Sequence, residues 1–210
     1  MKYVVDSRPV LALVIAAVAF IIVPFPSIAQ TPIHVNNLPT LILVRHAEKA
    51  AQPAEDPPLT APGEKRAQDL AAALRDAGVT SIITTQLRRT RETAQPLAAA
   101  LGITAEIVTV GQRALVANPA VGTKFPPEVL SERAEYVKQL ERVLRGRSGV
   151  VLVVGHDWSA PGLIALLGGP QLPNICSSIY DKLFILPSAG GKIGLVQARY
   201  GAPTPDTDCK

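Results

Sequence analysis

Two runs of the sequence, Leu41–Val44 and Val150–Val154, consist of nothing but aliphatic residues. A strand with one face in water alternates polar and apolar side chains. An unbroken aliphatic run therefore requires cover on both faces, as for an interior strand of a parallel sheet enclosed by helices. Both runs also end alike: the first is followed at once by Arg45 and His46, the second by Gly155 and His156.

The remaining sequence supplies the helices that such cover demands. Thr60 can cap a helix with Pro62 in its first turn and Leu70, Ala73, Leu74 and Ala77 on one face, stopped at Gly78. A strand over Val79–Thr84 leads to a helix over Arg88–Leu101, which Pro96 should kink or split and Gly102 should end. Glu106–Val110 reads as a short strand and Gly111–Pro127 as a loop. From Pro127 a long amphipathic helix turns Val129, Ala134, Val137, Leu140 and Leu144 inward. A helix near Ser159–Leu167 and two strands, Lys182–Leu186 and Lys192–Arg199, complete the pattern. Alternation of this kind predicts an α/β fold: a three-layer α/β/α sandwich with a mostly parallel central sheet and right-handed crossovers.

The N-terminus differs in kind. Lys2 and Arg8 precede the apolar stretch Val10–Val23, which Pro24 breaks, and Ser27-Ile28-Ala29 supplies small residues for processing. A spanning helix needs roughly 18 or more apolar residues, so residues 1–29 are expected to be a cleaved signal peptide. The mature domain is then 30–210, periplasmic or secreted, with no stable membrane span. Loss of Lys2, Asp6 and Arg8 takes the formal charge from +4 to +3. No basic block interleaves with aromatics, which argues against nucleic acid, while a mild positive charge suits a small anionic substrate. Export permits one disulfide between Cys176 and Cys209, the two cysteines of the chain. These cysteines and His34, His46 and His156 show no recognisable zinc spacing, so no metal or other cofactor is expected.

Ligands of open α/β sheets bind beyond the carboxyl ends of the strands. His46 and His156 follow two such ends, Arg45 stands beside the first, and the strand Val79–Thr84 runs into "TTQLRRTRETA". Guanidinium and imidazole groups delivered to one edge suit a phosphate.

These stretches resemble the motifs of the histidine phosphatase superfamily, which has the phosphoglycerate mutase-like fold. "LILVRHAEK" is similar to the Arg-His signature after the first strand, "TTQLRRTRETAQPLA" to the second motif with Arg89 at the phosphate-binding arginine, and "VLVVGH" to the third, with His156 as second histidine. The resemblance runs from about Leu41 to Tyr200 and is closest to small exported members of the Arg-His-Ala-Glu-Lys type. It implies that His46 attacks phosphorus to form a phosphohistidine, with Arg45, Arg89 and His156 as the phosphate pocket.

This chemistry is physically coherent. A phosphomonoester dianion repels nucleophiles until its oxygens are neutralised, and two permanent cations both do this and hold His46 neutral. His156, as a donor, would stabilise the transferring group. The leaving oxygen needs an acid. Asp157 is the first candidate because His-Asp resembles the superfamily's second branch, and Glu128 and Glu48 are alternatives. Asp157 could instead cap the following helix, Glu48 and Lys49 could be an exposed pair, and Trp158 could be a pocket or core wall. Two further readings of the whole are a mutase that moves phosphoryl groups between hydroxyls and a non-catalytic envelope protein that binds a phosphorylated ligand.

Overall fold

The computed structural model describes residues 38–115, 124–189 and 192–205; the expected leader, His34 and Cys209 lie outside them. The elements are β1 (Thr40–Arg45), α1 (Ala61–Leu74), β2 (Val79–Thr84), α2 (Arg88–Leu101), β3 (Glu106–Ile107), α3 (Pro127–Arg145), β4 (Val150–Gly155), α4 (Ser159–Leu166), β5 (Lys182–Leu186), β6 (Ser188–Ala189), β7 (Lys192–Ile193) and β8 (Val196–Arg199). Six strands form one sheet in the order β3-β2-β4-β1-β5-β8. The first four are mutually parallel, β5 runs antiparallel to its neighbour β1, and β8 runs antiparallel to β5.

The two aliphatic runs lie side by side as β1 and β4, and their side chains alternate between two cores. Leu41, Leu43, Val151 and Val153 face Leu140 and Leu144 of α3 and Leu163 of α4. Ile42, Val44, Leu152 and Val154 face Leu70 and Leu74 of α1 and Ala94 and Leu97 of α2. Full burial of each such side chain contributes about 1.5–3 kcal/mol, which is why a polar residue in either run would be intolerable. The arrangement is the three-layer sandwich expected from the sequence.

Four details differ from that expectation. On α1 the buried face is Gly63, Arg66, Ala67, Leu70 and Leu74, while Ala73 and Ala77 are exposed. The helix start is docked on the loop after β1: Thr60 N–H donates to the Glu48 carbonyl at 2.9 Å. Gly63 lies so near that a Cβ there would sit 2.2 Å from the same oxygen. The second helix runs unbroken through Pro96, because Ala94 and Leu97 on either side of it are locked in the core while the proline forfeits only its own N–H bond. Pairing in β3 stops after Ile107, and Val108 and Val110 turn into the core instead. The strand expected over Lys192–Arg199 is two strands: β7 pairs with β6, and β8 pairs with β5.

Candidate active site

The site begins with register. Arg45 pairs with Gly155 at the last rung of the β1–β4 ladder, and His46 N–H adds one more bond to the Gly155 carbonyl at 2.9 Å. The next residue of each strand is a histidine, so the two imidazoles emerge at one level with ring centres 5.7 Å apart, edge to face. Gly155 is required here. Its missing side chain leaves room for the Ser159 hydroxyl, which a Cβ would meet at 2.2 Å. That hydroxyl accepts from His156 N–H at 2.8 Å and donates to the His156 carbonyl at 3.2 Å.

Arg45 is held from one side. Its Nη1 donates to the carbonyls of Cys176, Ser177 and Ile179 at 2.8, 2.9 and 2.9 Å, and its guanidinium lies 4.2 Å from the centre of the Tyr180 ring. Arg89 comes from the first turn of α2, where the helix dipole also favours an anion. Thr93, one turn on, donates its hydroxyl to the Arg89 carbonyl at 2.6 Å and accepts from Ala47 N–H at 2.9 Å, tying that turn to the residue after His46. All four groups are buried, at 3–8% exposure. Yet Arg45 Nε, Arg89 Nε and His156 Nε2 have no protein partner. Buried polar atoms are nearly always satisfied, and three left over in one place mark where a ligand's oxygens belong.

The state of His46 follows from one bond. Its Nδ1 lies 2.8 Å from the Ala47 carbonyl. A carbonyl oxygen only accepts, so Nδ1 carries the proton and Nε2 keeps its lone pair. Burial, followed by the charges of His156 and Arg45, holds the His46 pKa well below its ordinary value, against the Ala47 bond. Burial, with Arg89, Arg45 and Arg133, pushes His156 down to about 3. Both rings are neutral near pH 7. His156 can therefore serve as a donor only through its neutral ring's single N–H.

Three side chains join the site without having been singled out. Arg133 of α3 is buried, donates Nε to the Ala114 carbonyl at 3.1 Å and acts electrostatically on His156. It occupies the inward stripe where the periodicity placed Ala134, which is exposed. A lone arginine one turn from Val129 and Val137 was the available signal. Lys49 is held below its usual pKa by partial burial and by Arg89 and Arg45, so it stands in the same positive field instead of pairing with Glu48. Tyr180 faces Arg45 and also His46, with ring centres 6.2 Å apart. It opens the stretch "YDKLF", which also resembles small exported members of the superfamily, but the sequence assigned it no role.

The acid candidates separate clearly. Both oxygens of Glu48 receive Nε of Arg66, at 3.0 and 2.9 Å, and Nη2 donates at 2.8 Å, so this carboxylate is committed elsewhere. Glu128 is exposed in the first turn of α3, where its charge acts on Arg113. Asp157 acts on both Arg89 and Arg133, which places it beside the site. The N-cap of α4 is Trp158, one residue after Asp157. Trp158 is buried and stacks on His156 with ring centres 5.8 Å apart. Arg88 and Arg91 are exposed. Cys176 is disulfide-bonded.

Known proteins resemble this chain in sequence over one segment and in fold over most of its length. Residues 41–110 match the family profile of the histidine phosphatase superfamily (branch 1). A 66-residue stretch is 44% identical to "Probable phosphoglycerate mutase GpmB" of Escherichia coli, covering 29% of this chain and 31% of that protein. The chain thus spans about a third of the length of the curated relatives it matches. Among solved structures, a mycobacterial glucosyl-3-phosphoglycerate phosphatase in complex with VO3 shares the fold over 79% of this chain and 100% of its own, at 17% identity and a TM-score of 0.53. A phosphoserine phosphatase from Entamoeba histolytica, solved with 3-phosphoglyceric acid, does so over 79% and 98%, at 18% identity and 0.52. The likeness to the histidine phosphatase superfamily thus rests on residues 41–110, a third of the chain, and the solved structures extend the shared fold beyond them.

Proposed function

We propose that the chain is an exported phosphatase that hydrolyses a phosphomonoester through a phosphohistidine on His46. The observation that carries this reading is the free Nε2 of a neutral, buried His46 beside Arg45, Arg89 and His156, three of whose nitrogens await a partner. Arg45, Arg89, Arg133 and Lys49 outnumber the carboxyl groups of Asp56 and Asp157, so the neighbourhood is net positive whether or not Asp157 holds its proton. That matches a phosphate dianion.

Nε2 attacks phosphorus as the bond to the ester oxygen breaks. Arg45 and Arg89 take the nonbridging oxygens, and His156 Nε2 offers a further hydrogen bond. Asp157 supplies the proton that the departing alkoxide takes up, a contribution typically of about 10²–10⁴ in rate. Water, giving a proton to the Asp157 carboxylate, then attacks the phosphohistidine as its P–N bond breaks, releasing phosphate and restoring both the ring and the acid. These steps call on no metal or organic cofactor. Residues 1–29 are read as the leader, cleaved after Ala29, giving a periplasmic or secreted domain over 30–210 with no nucleic-acid partner and no stable membrane span. Among the described residues no helix is long and apolar enough to cross a membrane.

The direct test is trapping. Brief incubation with a labelled phosphomonoester and an alkaline quench is expected to leave acid-labile label on His46; unlabelled protein that is nonetheless turning over would overturn the assignment. Asp157→Asn has its own signature. It is expected to slow an alkyl phosphate by about 10²-fold or more while sparing acetyl phosphate, whose leaving group needs no acid. Equal losses on both would remove Asp157 from the role. A mutase reading is kept because of the Escherichia coli relatives' name, and phosphoryl transfer to an added hydroxyl acceptor, in preference to water, would favour it.

A further inference from the structure

The phosphate-facing residues adjoin a second hollow. A cleft of about 490 Å³ runs along α4 from Trp158, its N-cap, to Leu166, its last residue, with α3 as the opposite wall. Leu130, Ala134, Val137, Ala165 and Leu172 make most of its lining apolar, beside Arg133, Lys138, Gln171 and Asn174. Leu130 is 51% exposed there and belongs to neither core. This volume lies within the range of small-molecule sites, about 300–1,000 Å³.

Three features join the cleft to the candidate active site. Trp158 lines the cleft and stacks on His156. Arg133 lines it too, with its guanidinium 4.1 Å from the Phe125 ring centre and 5.0 Å from that of Trp158. The stretch from Gln171 to Asn174 walls the cleft, and the residues that follow turn to the phosphate site: Ile175 N–H donates to the Asp157 carbonyl at 2.9 Å, and the Cys176 carbonyl accepts from Arg45. An alcohol protonated by Asp157 leaves next to Trp158, its neighbour in the chain.

We propose that this cleft receives the carbon skeleton of the leaving alcohol, so that the substrate is a phosphomonoester of an apolar alcohol and not of a polyol. The inference rests on the phosphatase reading above. The larger, apolar part of the lining gains from burying methylene groups and leaves a polyol's hydroxyls there without partners, so an alkyl chain is favoured although Lys138, Gln171 and Asn174 also border the cleft.

The test compares two primary alkyl esters with similar leaving oxygens, hexyl phosphate and glycerol phosphate. The mature protein is assayed beside Ala134→Trp and Ala165→Trp, which fill the cleft from opposite helices at positions outside both cores; thermal unfolding confirms that each variant is folded. The unsubstituted protein is expected to favour hexyl phosphate by about tenfold or more in kcat/KM. Each tryptophan should remove that preference while glycerol phosphate stays within about twofold. A protein that turns over glycerol phosphate with no preference for the hexyl ester, or a preference that survives both tryptophans, overturns the cleft assignment alone. A protein that hydrolyses neither ester overturns the phosphatase reading and this inference with it.

Discussion

Arg66 and Arg89 are both buried arginines on helices of the same sheet face, and they are treated in opposite ways. Arg66 is fully used: Nε and Nη2 clasp Glu48, and Nη1 donates to the carbonyls of Tyr200 and Ala202 at 3.2 and 2.9 Å. These partners outweigh its burial and raise its pKa. Arg89 has no comparable clasp; its Nε is idle, and burial lowers its pKa despite the pull of Asp56. A guanidinium without sufficient partners is costly to bury. The first arginine spends its hydrogen bonds on the fold, and the second keeps them for a ligand.

The contrast can be broken by exchanging what each variant loses. Arg89→Gln is expected to lower kcat/KM by about 10²–10³-fold, the scale of one lost transition-state donor, with a melting temperature no lower than that of the parent. A clear fall in stability would show that Arg89 is structural after all. Arg66→Met should do the reverse, costing about 3–5 kcal/mol of stability by stranding Glu48. Activity measured well below the melting point should persist, and urea unfolding beside steady-state kinetics reads both.

Acid sharpens the comparison with the smallest effect. His46 and His156 are neutral in the fold, whereas the unfolded chain takes up their protons near pH 6.5. Below that pH the unfolded state binds more protons, so stability falls on acidification, on the order of 1 kcal/mol per pH unit for each histidine. Asp181 does not intrude. Burial raises its pKa, but hydrogen bonds from Arg199 and Thr204 outweigh that and keep it low, so its contribution is lost only in stronger acid. The melting temperature should decline between pH 6.5 and 4.5, and His156→Gln should flatten the decline. An unchanged slope would mean that His156 does not titrate as its burial implies.

Local pattern and motif carried much of this into the sequence. Runs without polar residues announced β1 and β4, and each run's length fixed where it ended, so Arg45, His46 and His156 could be named as neighbours. What tertiary docking decides could not be read. The rotation of α1 depends on Gly63 meeting the Glu48 carbonyl, and the partner of Glu48 is Arg66, a helix away, when its adjacent lysine looked the natural choice. Arg133 was hidden because a single charged residue does not disturb a helical period. The cradle of Arg45 was hidden because it is made of main-chain carbonyls, which every residue possesses.

That last feature has an evolutionary side. Cys176, Ser177 and Ile179 grip Arg45 through peptide oxygens, and the Ser177 side chain is exposed. Such a grip constrains the path of the chain through atoms that every residue supplies. Homologous chains could therefore change side chains along this segment and still hold the arginine, provided the main chain keeps its course.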